Sequence, residues 1–175
     1  MNQSEKRLFL IQSLLKENQE YRDMNIPAEP ESQRQLLRGL MNIRMPRRIG
    51  ADFLKMQDEY LQSETVAKGI TDIADLTPIQ QGLYIWQGDI TTLKCDAIVN
   101  AANSGMTGCY IPNHRCIDNA IHTFAGVELR LTCEQLMEQQ GYPEPTGQAK
   151  ITPAFNLPCR YVLHLSLIHI SEPTR

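Results

Sequence analysis

The sequence predicts an α/β fold that follows a helical N-terminal extension. Three observations carry this. Residues 1 to about 70 place their apolar side chains at helical spacing. After Thr77-Pro78 the pattern changes, and short β-rich runs alternate with helix-period segments, which is the arrangement of an α/β sheet. Glycines punctuate the helix ends, at Gly69, Gly126 and Gly141.

The elements follow in order. A first helix carries Leu8, Ile11, Leu14 and Leu15 on one stripe, with Ser4 as its N-cap. Two prolines break the chain over residues 25–32. A second helix presents Leu36, Leu37, Leu40 and Met41 and stops at the basic "RMPRR", read as solvated surface. A third, over residues 51–68, presents Phe53, Leu54, Tyr60 and Leu61. These stripes are expected to pack within the chain rather than to await a partner. "LYIWQG" (83–88) reads as a short strand. "DAIVNAAN" (96–103) reads as a buried parallel strand, since its apolar run is continuous. Two helices follow, in "HRCIDNAIHTFAG" and "GVELRLTCEQLMEQQG", then strands in "TGQAKITPAF" and "RYVLH".

Composition narrows the function classes. The 175 residues are 42% hydrophobic and 21% charged, which suits a globular chain. A net charge of −3 gives no electrostatic case for a nucleic-acid partner. No apolar run is long enough for a membrane span, and the N-terminus lacks the form of a signal peptide. The expected location is therefore cytoplasmic. Five cysteines, an odd number, argue against a disulfide framework. Cys95, Cys133 and Cys159 read as small buried hydrophobes.

The stretch "GMTGCYIPNHRCIDNAIH" carries the strongest chemical signal. Cys109, His114 and Cys116 make the pattern Cys-x4-His-x-Cys. Thiolate and imidazole are the donors zinc prefers, and three protein ligands leave a fourth position open, as catalytic sites do. A site closed by a more distant residue such as Cys133 or His122 is the alternative, and a metal-free loop is another. His122 otherwise reads as a core residue, one helical turn after Asp118. Asp89, expected just past a strand, and Asn100 and Asn103, at the end of the next, sit where α/β sheets bind ligands. Neutral amides both donate to and accept from sugar hydroxyls, although turn formation and capping are equally served by these residues.

Taken together, "GDIT…DAIVNAAN…G…IDNAIH…AG" resembles the macrodomain family, which binds ADP-ribose. The resemblance implies a mixed sheet flanked by helices. It implies Asp89 at the adenine amino group, the backbone amide of Ile90 beside it, Asn100 and Asn103 along the distal ribose, and Asp118 as an acidic residue next to that ribose. Where many macrodomains have a run of glycines, this chain has "GCYIPNHRCID". That insertion, together with the helical extension, resembles the zinc-dependent, sirtuin-linked subclass. The implied activity is hydrolysis of mono-ADP-ribose from protein side chains, with an Asp or Glu ester as the bond cleaved, zinc as cofactor, and a lipoyl-bearing carrier protein among the targets. The implied site is catalytic Asp118 and Asn103, ligand-binding Asp89, Ile90, Asn100 and Asn103, and metal-binding Cys109, His114 and Cys116. The rival readings are a non-catalytic ADP-ribose reader and a structural zinc domain acting through its helices.

The expected organisation is an extension at 1–75, the N-terminal part of a macrodomain at 76–164, and a foreign tail at 165–175. The tail "LSLIHISEPTR" resembles the translation of a sequencing-library transposase adaptor, in frame from Leu165. On that reading the later strands and the second glycine-rich phosphate loop of the family are missing. The polypeptide as it stands is then expected to be poorly folded and inactive, while the parent protein is an enzyme.

Overall fold

The computed structural model describes residues 1–167. Three helices come first: α1 (Gln3–Glu17), α2 (Pro30–Ile43) and α3 (Ala51–Lys68). Asn2, not Ser4, caps α1, and it does so in a reciprocal capping box with Glu5. Pro30 opens α2 at a position where its missing N–H costs nothing. Leu10, Ile11, Leu14, Leu15, Leu37, Leu40, Met41, Phe53, Tyr60 and Leu61 share one core, so the stripes do pack on each other. Leu8 is only half-buried, and Leu10 takes its place on the inner face.

The basic "RMPRR" is not uniformly solvated. Arg44 is buried, with its guanidinium bonded to both Glu17 carboxylate oxygens at 2.7 and 2.9 Å. A fork-to-carboxylate pair explains why this arginine goes inside and its neighbours Arg47 and Arg48 stay out.

The second half is built on a three-stranded mixed sheet of β3 (Ala97–Ala102), β5 (Tyr161–Ser166) and β4 (Ala149–Pro153), in that spatial order. β3 runs parallel to β5, and β4 runs antiparallel to it. Between β3 and β4 the chain forms α4 (Ile117–Ala125) and α5 (Val127–Gln140). A two-residue parallel pair, β1 (Thr71–Asp72) with β2 (Leu93–Lys94), precedes them. Ile98, Ala102, Met106, Ile121, Leu129, Cys133, Leu157 and Val162 form the core of this half, and Phe124 packs against both cores.

Two strand expectations change. "LYIWQG" joins no ladder: an isolated bridge links Leu83 to Gln80, and Leu83, Tyr84 and Ile85 are exposed. β-propensity alone does not make a strand without a partner backbone. β3 is not buried on both faces. It alternates, with Ile98, Asn100 and Ala102 inward and Val99 out, because helices cover one face of the sheet here. β5 runs across the expected boundary at His164: Leu165 and Ser166 pair with Ala101 and Ala102. The remainder of the expected foreign tail, residues 168–175, lies outside the described residues. No helix among the described residues is long and apolar enough to cross a membrane.

Candidate metal centre and ligand site

β3 delivers the chain into a tight loop. Asn103 closes it from both sides, with its Oδ1 accepting from Gly105 N at 2.9 Å and its Nδ2 donating to Gly108 O at 3.2 Å. Gly108 has φ +85° and lies so close to His122 that a Cβ there would sit 2.7 Å from the imidazole. Only glycine fits that backbone and that gap.

The chain then runs over the surface to α4, whose N-cap is Cys116. Here the donor atoms of Cys109, His114 and Cys116 lie within 4.8 Å of one another, half-buried except for the exposed His114. Cys109 Sγ and His114 Nδ1 are 3.5 Å apart. Two ligands about 2.3 and 2.0 Å from one tetrahedral zinc also stand about 3.5 Å apart, so the donor set fits that ion. Burial, opposed by the Asn119 N–H and reinforced by Cys109 and Asp118, pushes the Cys116 thiol above its ordinary pKa. A bound cation would reverse that order and hold the thiolate.

Cys133 and His122 do not complete this group. With His164 they form a second, buried cluster. Asn100, which is 0% exposed, links this cluster to Asp118: Nδ2 donates to Asp118 Oδ1 at 2.8 Å and faces His164 Nδ1 at 3.1 Å. His164 Nε2 lies 3.0 Å from Thr152 Oγ1 and 3.8 Å from Cys133 Sγ. Burial drops the His164 pKa to about 4, so its ring is neutral, and burial raises the Cys133 thiol to about 12. His122 Nε2 stands 3.6 Å from Asp118 Oδ1, and its pKa also lies well below the ordinary value because it is buried.

The expected site residues thus divide. Asn103 borders the loop that leads to Cys109. Asn100 and Asp118 meet each other, but both side chains lie under the surface, Asp118 at 2% exposure. Asp89 does not follow a ladder strand. It caps a short 3-10 turn at Ile90–Thr92, accepting from Thr91 N and Oγ1 and from Lys68 Nζ at 3.1 Å. Partial burial raises its pKa, but these hydrogen bonds outweigh it and keep the carboxyl ionised below its ordinary range. Ile90 is half-buried against the sheet core. Of the other cysteines, Cys133 and Cys159 are buried as expected and Cys95 is half-buried.

Two features were not visible in the sequence pattern: Arg130 and Arg38, which tie the Cys109–Cys116 loop to the helical extension. A lone arginine in an amphipathic helix carries no signal of which carbonyls it will reach.

The crystal structure of a Trypanosoma brucei macrodomain superposes with a TM-score of 0.51, over 74% of this chain and 56% of that one, at 25% identity. The fold is a macrodomain fold. The macro domain family model matches residues 99–173. Among curated proteins, a protein-ADP-ribose hydrolase of Treponema medium is 58% identical over 168 residues, 94% of this chain and 64% of the relative. A Staphylococcus aureus protein of the same name is 45% identical over 157 residues, 89% of this chain and 59% of the relative. The chain therefore spans about 60% of the length of the curated relatives it matches. These two curated matches are long enough to take in the helical extension as well as the α/β portion.

Proposed function

We propose that this chain carries the metal-holding and ribose-facing part of a zinc-dependent protein-ADP-ribose hydrolase. The observation that carries the reading is the convergence of Cys109, His114 and Cys116 at the N-terminus of α4, beside the Asn103 loop. The names of the similar proteins support the reaction class. In this reading the adenine amino group meets Asp89 and the Ile90 amide, and the distal ribose lies at Asn103. The three donors hold zinc, which supplies polarisation of an oxygen or a lowered pKa of bound water. Asp118 is buried and accepts from Asn100. That favours Asp118 as the group that orders the ribose end through Asn100, over a base exposed to bulk water. A site built on thiolates needs a reducing compartment, so a cytoplasmic location goes with the proposal. So do an Asp or Glu ester as the bond cleaved, the link to a sirtuin-type transferase, a lipoyl-bearing carrier as target, and a parent protein longer than this chain.

The burial of Asp118 also favours a second reading, a reader that binds ADP-ribose without cleaving it. One experiment separates them. A carrier protein mono-ADP-ribosylated on glutamate is incubated with this chain and, in parallel, with the full-length Treponema medium relative. Release of free ADP-ribose that stops on exhaustive chelation supports the hydrolase. Retention of the modified carrier without release supports the reader. Release that survives chelation rejects the zinc site.

A further inference from the structure

Residues 109–116 form an irregular surface loop, and irregular loops hold donors poorly unless something else fixes them. Two arginines do so. Arg130, on α5, is 5% exposed and spends its fork on backbone carbonyls. Its Nε donates to Thr107 O at 2.7 Å and its Nη2 to Cys109 O at 3.3 Å. Its Nη1 donates to Asn42 O and Arg44 O at 2.6 and 2.7 Å, at the C-terminal end of α2, where helix carbonyls lack partners and a cation is favoured. The guanidinium also stacks 4.2 Å from the centroid of Tyr110. Arg38, on α2, donates from Nη2 to His114 O at 3.0 Å and to Asn119 Oδ1 at 2.8 Å. Between these two struts, Asn42 Oδ1 accepts from Asn113 N at 2.9 Å.

Two of the three candidate ligands, Cys109 and His114, thus have their own carbonyls held by guanidinium groups that also lie on or against α2. We infer that α2 of the helical extension is the bracket of the metal loop, with Arg130 and Arg38 as positioning residues, and that metal binding and α2 docking are coupled. The inference rests on the zinc reading above. Coupling is reciprocal: whatever makes α2 hold the loop better when the ion is bound makes the ion hold α2 better. The helical extension is then part of the site's architecture, although none of its residues offers a metal ligand.

The test is a zinc titration of the 175-residue chain against a chromophoric chelator, combined with amide hydrogen exchange. Arg130→Lys keeps the charge but cannot bridge loop and helix, and Arg38→Ala removes a half-buried strut with less risk to folding. Val162→Ala, in the sheet core, is the control for lost stability. Each arginine variant is expected to weaken zinc binding about tenfold or more, the range seen when the groups orienting metal ligands are removed. Val162→Ala is expected to melt at lower temperature with zinc affinity unchanged. Zinc should slow exchange of the α2 amides at residues 38–44 in the unaltered chain and not in Cys116→Ala. Tight zinc binding by the unaltered chain, with the arginine variants within twofold of it or with α2 exchange unchanged, overturns this inference alone. No zinc binding by the unaltered chain overturns the metal reading together with it.

Discussion

The molecule holds two clusters of the same chemistry a few residues apart, and they are built in opposite ways. Cys109 and Cys116 are half-buried and His114 is exposed, and the backbone carbonyls of Cys109 and His114 are gripped by arginines. His122, Cys133 and His164 are buried; the His164 ring is engaged by Asn100, Thr152 and Cys133, while neither ring nitrogen of His122 has a hydrogen-bond partner among the described residues. Donor type and proximity therefore do not make the two clusters equivalent. Asn100 Nδ2 can only donate, so His164 Nδ1 must accept and Nε2 carries the proton toward Thr152. A nitrogen in that state has no lone pair for a cation. The outer cluster is more lightly committed: Cys109 Sγ lies 3.5 Å from His114 Nδ1, and Cys116 Sγ accepts from Asn119 N at 3.4 Å.

That contrast can be broken from its shared point. Gly108 lies between the clusters, with its carbonyl toward Asn103 and its missing side chain toward His122. Gly108→Ala meets a positive φ and a 2.7 Å clash at once. It should cost on the order of 4 kcal/mol and impair zinc binding as well, read by thermal melting and by metal titration.

Acid should separate the clusters next. His164 has a folded pKa of about 4 against an ordinary value of 6.5. Between those values the unfolded chain takes up a proton that the folded chain refuses. Metal-free stability should thus be full above pH 6.5 and fall by about 3 kcal/mol on acidification to pH 4, with His122 adding in the same direction. A flat denaturation midpoint across this window would remove the buried neutral histidines from the account.

Removing His164 itself sharpens the comparison. His164→Ala should lower stability by about 2–3 kcal/mol, reduce that pH dependence to the part His122 carries, and leave one zinc bound per chain. Cys116→Ala should do the converse. The metal-free melting point should move by less than about 1 kcal/mol equivalent, because a half-buried cap accepting one N–H at 3.4 Å contributes little, while zinc stoichiometry drops to zero. If Cys116→Ala keeps its zinc, the outer cluster is not the metal site.

The sequence made the order of elements legible wherever local chemistry decides it. α3, α5 and the glycine that closes each came from periodicity and caps. The spacing of Cys109, His114 and Cys116 was legible for the same reason, since a loop of eight residues brings its own donors together. What needed coordinates was everything decided by a distant partner. "LYIWQG" has strand-forming residues and no neighbour to pair with. Asn100 and Asp118 could be read as polar groups near a ligand, but not as partners; the inward pleat of β3 and the inner face of α4 bring them into a hydrogen bond. Arg44 looked like one of several surface cations until Glu17, on another helix, drew it inside.

Gln57 bears on how the chain can be divided. It lies on α3, is 0% exposed, and its Oε1 accepts from Val127 N, the first amide of α5, at 2.9 Å. Its amide also fills the space beside Gly126 that a Cβ would occupy. The cap of a helix in the second half is thus supplied by a residue of the first. Expressed as two peptides split near residue 75, each half would carry an unmet surface that only the other completes. The natural outcome is fragment reassembly, or exchange of the helical segment between two copies, rather than two independent modules.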